Sequence, residues 1–330
     1  MSLNFETLYE TINQTKRCSI SDIQSVSSNL LEQTDFFDMD NEITESPFYK
    51  LHILINTISN QNITVVGVSE SYHNLAVTFA KSGFQDYSCT ILERGLKSFP
   101  NSVDLLADYI KYGIECNRID TCKSCYNKLQ NISKNNWTWR SFVFSIDYIL
   151  NTVYINCNQN AYEEAITLAN NYKLFYPNSE QPYFTLSNIY DTFNKKNLSR
   201  ETLEKALEQF SIAPKCSLKL ADISFENGDY TSAITYAKRA ISNSISTQPS
   251  INISYCYLII ALCHISIALD NEINSDTDSL EKIISTAYHN AHVAIELNSL
   301  DKSLFLNLKQ VVKMAETHFN LENPFSFDYD

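Results

Sequence analysis

Three stretches of the chain can be laid over one another at a constant step of 34 residues, beginning at Ile146, Glu180 and Pro214. A step of this length describes one helix–turn–helix unit, which cannot bury its apolar face alone and must stack on its neighbours. The clearest unit runs from Pro214 to about Thr247. Its first helix carries Leu220-Ala221 and Phe225, Gly228-Asp229-Tyr230 makes the turn, and the second helix carries Ala233, Ala237 and Ala240-Ile241. Small residues belong where two backbones approach, and large ones fill the space between successive units. Gly228 suits the left-handed backbone that ends a helix.

The same spacing extends in both directions. One step back lie Tyr183, Leu186-Ser187 and Tyr190, then Ser199, Leu203 and Ala206-Leu207. Another step back lie Ile149, Val153, Ala165, Ala169 and Tyr176-Pro177. An earlier unit places Tyr72, Leu75-Ala76 and Phe79 before Gly83, and Leu92, Gly95-Leu96 and Phe99-Pro100 after it. The next starts near Val103, with Leu106, Tyr109-Ile110, Cys122, Tyr126 and Leu129. Asn131 to Ser145 reads as an irregular link at which the register slips. Beyond Thr247, Ser250 to Leu269 reads as a long apolar helix, Asn271 to Ser279 as a polar loop and Leu280 to Leu297 as a second helix. Lys302 to Phe319 is expected to be a closing helix, followed by an acidic, aromatic tail after Glu322. Near the start, Phe5 to Ile12, Ile20 to Leu31 and Pro47 to Ile58 show helical spacing of apolar residues, with an acidic loop at Asp35 to Glu45.

These positions resemble the tetratricopeptide repeat family from roughly Ser69 to Leu297, most sharply from Ile146 to Thr247. The resemblance implies an all-α, right-handed α-solenoid of helix–turn–helix repeats. It divides the chain into diverged helices or a cap at 1–68, about six repeats at 69–300 (clearest at 146–247), and a capping helix with its tail at 301–330. It also implies a non-catalytic scaffold that holds a protein or peptide in a concave groove lined by the first helix of each unit. The groove positions are Asn151 and Tyr154, then Phe184, Asn188 and Asp191, then Lys215, Lys219 and Asp222. A solvated face with Phe184 partly covered is the plainer reading of the same residues. The family's carboxylate clamp for chaperone tails is incomplete, because Leu150, Tyr154 and Thr185 stand at clamp positions and only Lys215 and Lys219 match. A competing reading is a peptide-sensing regulator that acts through a separate effector protein.

Composition narrows the partners. A net charge of −13 argues against nucleic acid, whose phosphates require clustered Lys and Arg, and against anionic membrane surfaces. No uninterrupted run of about 18 apolar residues occurs, and the first residues lack a secretory pattern, so a cytoplasmic chain without a spanning helix is expected. Only five glycines and seven prolines suit a helical chain with short turns. The nine cysteines read as small buried residues. Cys122 and Cys125 form a Cys-x-x-Cys pair with neither a second pair nor a nearby His, and His289 and His292 lack the intervening Glu of a metalloprotease. No cofactor and no metal are expected. Trp137, Trp139 and Arg140 are the most unusual cluster, readable as a packing wedge or as an aromatic–arginine hot spot for a partner. The sequence does not fix the oligomeric state.

Overall fold

Among the residues that the computed structural model describes (4–33, 46–156, 160–245, 252–271 and 277–297), fifteen α-helices account for nearly all of the chain. The acidic segment at 35–45, most of the polar loop after Asn271, and the expected closing helix and tail lie outside the described residues.

The chain divides into two compact units, Met1–Phe175 and Tyr176–Asp330. In the first, α4 (Ser69–Lys81) pairs with α5 (Gln85–Ser98), α6 (Val103–Glu115) with α7 (Ile119–Gln130), and α8 (Trp139–Asn156) with α9 (Ala161–Phe175). In the second, α10 (Gln181–Thr192) pairs with α11 (Lys196–Gln209), α12 (Pro214–Glu226) with α13 (Tyr230–Ile245), and α14 (Ile253–Asn271) with α15 (Thr277–Leu297). First helices also touch the next first helix: α4 meets α6, α6 meets α8, α10 meets α12 and α12 meets α14. Each unit is therefore a stack of helical hairpins of the α-solenoid kind.

One local device makes the hairpins alike. Gly83, Asn117, Asn194 and Gly228 all have φ between +56° and +85°. At each, the following residue's N–H reaches back across the helix end: Phe84 to Phe79, Arg118 to Gly113, Lys195 to Tyr190, and Asp229 to Ser224. This left-handed cap satisfies carbonyls that the helix end leaves open and points the next helix back along the first. Asparagine substitutes for glycine because its short polar side chain tolerates this backbone. Gly83 and Asn117 are 34 residues apart, as are Asn194 and Gly228, whereas Asn117 and Asn194 are 77 apart, nine more than twice 34. The expected register slip is real, and its size is nine residues.

The helix faces follow the spacing. Ala221, Ala233, Ala237 and Ala240 are fully buried and let α12 and α13 approach, while Ile259, Ile260 and Cys263 of α14 close over them. A second layer, Ala261, Ala268, Ala291 and Ala294 with Ile284 and Tyr288, joins α14 to α15. Stacking also completes helix ends. The Glu180 carboxylate, just before α10, accepts the N–H groups of Lys215 (3.2 Å) and Cys216 (2.9 Å) at the start of α12, where unpaired donors and the helix dipole favour an anion.

Two expectations need correction. The stretch from Ile146 does not begin a helix: α8 starts at Trp139, because Phe142, Ile146 and Ile149 form one buried stripe, so the supposed link is helical from Trp139 onward. The helix α15 starts at Thr277, inside the expected loop. One helix, Ile253–Asp270, is long and apolar enough to cross a membrane by length and composition alone. Its buried residues pack against α13 on one side and α15 on the other, and 44% of this stretch is buried. The chain is almost entirely helical, as expected, with one short exception among the described residues. Before the repeats, α1 (Phe5–Thr15), α2 (Ile20–Glu32) and α3 (Pro47–Ser59) are joined by a short parallel pair, β1 (Arg17–Ser19) with β2 (Thr64–Val66), in the register Arg17 with Thr64 and Ser19 with Val66.

Candidate functional site

In the second unit the structure brings together six of the eight expected groove residues. Phe184, Asn188 and Asp191 stand on α10, and Lys215, Lys219 and Asp222 on α12. The Lys219 ammonium lies 2.5 Å from Asp191 Oδ2 and donates to Asn188 Oδ1 at 2.5 Å, with its nitrogen 5.6 Å from the centre of the Phe184 ring. Lys215 donates to Gln181 Oε1 at 2.7 Å. Tyr255 of α14, which the sequence reading missed, donates its hydroxyl to Asp222 Oδ1 at 2.9 Å. Burial holds the Lys219 amine below the usual lysine range, against the pull of Asp191. Burial raises the Asp222 carboxyl, against the Tyr255 hydrogen bond, and pushes the Tyr255 phenol up to about 12.

The row is thus a set of bridges between successive first helices. Both lysines that match the clamp already have acceptors, and Thr185 is buried. An acidic tail would have to displace Asp191 from Lys219 before binding there. The two remaining expected residues are on α8, in the first unit. Asn151 is exposed and donates to the Asp147 carbonyl of its own helix at 2.8 Å; the Tyr154 side chain lies outside the described residues.

The first unit carries a cleft of about 510 Å³ between the first helices α4, α6 and α8. Its floor is a polar group that the sequence reading did not assemble. His73 of α4 bonds through Nδ1 to Asp108 of α6, a carboxylate only 2% exposed, and Arg140 Nη1 of α8 lies 2.9 Å from His73 Nε2. The same Arg140 nitrogen is 3.3 Å from His73 Nδ1, so the guanidinium lies across the imidazole that faces Asp108. Thr138 bonds to Asp104 at 3.1 Å, and Arg140 stands 4.0 Å from the same carboxylate. The apolar wall is Tyr112, Phe144 and Trp139.

The tryptophan cluster divides between its two readings. Trp137 is 5% exposed, packs on Phe142 at 5.1 Å and donates its indole N–H to the Leu129 carbonyl at 3.3 Å, as a wedge would. Trp139 is 46% exposed, meets the Phe144 ring edge-on at 6.2 Å and has the Arg140 guanidinium 5.6 Å from its ring.

The described cysteines are free thiols. Eight are described, all free, and seven of them are buried. Burial pushes the Cys122 thiol up to about 12 and that of Cys125 to about 11, which keeps both protonated. Among the described residues, no group of three or more His, Cys, Asp or Glu side chains is placed to hold a metal ion. His289 and His292 are exposed, and His292 faces Glu296 at 3.3 Å.

Stacked helical hairpins with polar and aromatic first-helix faces define a helical-repeat protein. Comparison with protein families is more specific: the tetratricopeptide repeat matches residues 180–209 and 214–244, which hold α10–α11 and α12–α13. The chain carries tetratricopeptide repeats. No curated protein matches the sequence. Among solved structures, the chain is similar to PilF of Pseudomonas aeruginosa (16% identity over 73% of this chain and 96% of that one, TM-score 0.46). It is similar to TTC0263, a tetratricopeptide-repeat protein of Thermus thermophilus (14% identity, 54% and 92%, TM-score 0.45). It is also similar to human IFIT1 bound to m7Gppp-AAAA (14% identity, 91% and 70%, TM-score 0.46). Likenesses of this size carry nothing about a shared partner.

Proposed function

We propose that the chain is a non-catalytic scaffold that holds a protein or peptide segment against the first-helix faces of its repeats, with residues 1–68 capping the repeats that follow them. The single observation behind this reading is the cleft between α4, α6 and α8. It is open to solvent, about 510 Å³ in volume, and bounded by a half-exposed tryptophan. That volume suits a few side chains of an extended segment. Its polar floor is fixed by His73, Asp108 and Arg140, so a ligand would meet a preorganised surface. Trp139 is the natural anchor, because a large rigid ring offers contact area at low entropic cost. The row from Phe184 to Asp222 is a second, more polar stretch of the same kind of face.

The test is selection of a random-peptide library on the full chain, followed by fluorescence anisotropy of the enriched peptides. Trp139→Ala should weaken binding by about 2 kcal/mol, roughly thirtyfold, with helicity and melting temperature unchanged. If no peptide is enriched, or Trp139→Ala leaves every affinity unchanged, this reading of the cleft fails.

A further inference from the structure

We infer that the cleft between α4, α6 and α8 takes a peptide in which a side-chain carboxylate lies beside a large apolar residue, the acid at Lys111 and Lys81 and the apolar group against Trp139 and Phe144. This deepens the proposed function and rests on it.

Charge points to the acid. The chain carries −13, yet the cleft is lined by Lys81, Lys111 and Arg140 with only two lining carboxylates, Asp108 and Glu115, while Asp104 stands behind Arg140 at 4.0 Å. Asp108 is already engaged by His73, whose ring lies against the Arg140 guanidinium. Lys111 is the distinctive cation. Its nitrogen lies 5.0 Å from the centre of the Tyr112 ring and 5.5 Å from that of Phe144, and it makes no ion pair with a described residue. Ring faces hold an ammonium in place without neutralising it, and the Asp147 carboxyl that Lys111 influences forms no ion pair with it. Lys81 is exposed at the cleft's edge and makes no ion pair with a described residue either. Contrast Lys215 and Lys219, whose acceptors are supplied by neighbouring helices.

Geometry points to the apolar neighbour. Phe144 touches both Lys111 and Trp139, so the cationic and aromatic parts of the wall are contiguous across one side chain. An extended peptide places successive side chains on opposite sides and residues i and i+2 on the same side. An acid and an aromatic or large aliphatic residue at i and i+2 would meet the two parts together. Single-stranded nucleic acid also offers anions and flat rings, but the chain's strong negative charge opposes a polyphosphate.

The experiment uses the full chain and a defined set of N-acetylated, C-amidated peptides, so that any carboxylate belongs to a side chain. Peptides of the pattern Glu-Gly-Phe, embedded in Gly/Ser, are compared with Gln-Gly-Phe, Lys-Gly-Phe and Glu-Gly-Ser counterparts, with oligo-dT as a further ligand. Binding is read by anisotropy and by the emission of Trp139 in a Trp137→Phe background. The expected result is tightest binding by the acid–aromatic peptide, a loss of roughly tenfold on replacing Glu by Gln, and a similar loss in Lys111→Glu. Lys81→Glu lies at an exposed position and repeats the test where folding is not at risk. Equal binding of the Glu and Gln peptides, no effect of either charge reversal, or competition by oligo-dT would overturn the inference. If peptides from the random library bind through Trp139 without preferring an acid, the scaffold reading survives and this one does not.

Discussion

Gly113 tests the nesting of hairpins directly. It sits inside α6, where an alanine would normally add about 1 kcal/mol of helix stability over glycine. A Cβ there would lie 2.5 Å from Cys122 Sγ on α7, and 3.2 and 3.4 Å from ring carbons of Tyr109. Ordinary carbon contacts fall near 3.5–4.0 Å, so the sulfur must retreat by more than about 1 Å. It has no room to do so: Cys122 and Tyr109 are fully buried, and the thiol faces the Tyr109 and Ile110 carbonyls at 3.9 and 3.6 Å. Overpacking of this kind costs about 1–3 kcal/mol, which exceeds the propensity gain over most of that range. Gly113→Ala should therefore destabilise by about 1 kcal/mol net. Urea denaturation followed by tryptophan emission reads the change, with circular dichroism checking that both probes report one transition. In a Cys122→Ala background the obstruction is gone, and the same substitution should become neutral or stabilising by up to about 1 kcal/mol. The coupling between the two sites should thus be at least about 1 kcal/mol. If Gly113→Ala stabilises the parent chain, or the two changes simply add, α6 and α7 are not packed backbone to sulfur as described.

Two further outcomes follow from the same unit. Acrylamide should quench the emission of Trp139, 46% exposed, far more than that of Trp137, 5% exposed; equal quenching in Trp137→Phe and Trp139→Phe variants would place both rings alike and remove the proposed anchor. Burial pushes the Asp147 carboxyl up to about 6, opposed by Lys111, although the side chain still reaches solvent. Its folded pKa lies above the ordinary value of about 3.9, so its favourable contribution is full below about pH 4 and lost as pH rises through 6. After discounting for solvent screening, Asp147→Asn should gain about 1 kcal/mol or less at pH 7.5 and nothing near pH 3.5. A gain that does not change between those two pH values would show that this carboxylate is not crowded in the fold.

Much of the architecture is legible because side-chain size repeats with the hairpin. Leu75, Ala76, Leu220 and Ala221 are fully buried where the period puts them, and Gly83 and Gly228 take the left-handed backbone that their positions require. Asn117 and Asn194 perform the same task but stand out less in a chain rich in asparagine; read as turn residues, they would have measured the nine-residue slip. The start of α8 was hidden because Trp137 and Trp139 look like one irregular cluster, when a wedge and a helix start fall two residues apart. The strand pair escaped because three residues show no periodicity, and a parallel pairing of Arg17 with Thr64 is a long-range event. The helix α14 is legible as one long apolar stretch, although its Ser, Tyr and His residues interrupt any unbroken apolar run. For the candidate surface, the period correctly puts Phe184 and Lys219 on successive first helices. It does not say that Lys219 is already occupied, because that depends on side-chain distances that no spacing rule carries.

The two units solve one geometric problem with different chemistry, and the difference separates a bridge from a docking face. His73 stands ten residues before the left-handed turn of its hairpin, and Asp108 nine before the next; Phe184 and Lys219 occupy the same two places before Asn194 and Gly228. Both pairs are 35 residues apart and both touch, one through a hydrogen bond to a buried carboxylate, the other through an ammonium near a ring. Contact at this pair of positions is thus a property of how one hairpin shelves on the next, whatever residues fill them. A residue there is expected to lock neighbouring repeats, and a ligand must be sought beside it. Four residues after His73 and three after Asp108 come Val77 and Lys111, which line the open cleft. The equivalent places in the other unit hold Asn188 and Asp222, each already bonded to its neighbour, to Lys219 and to Tyr255. The same scaffold position is therefore closed in one unit and open in the other, and Lys111 marks where the opening carries charge.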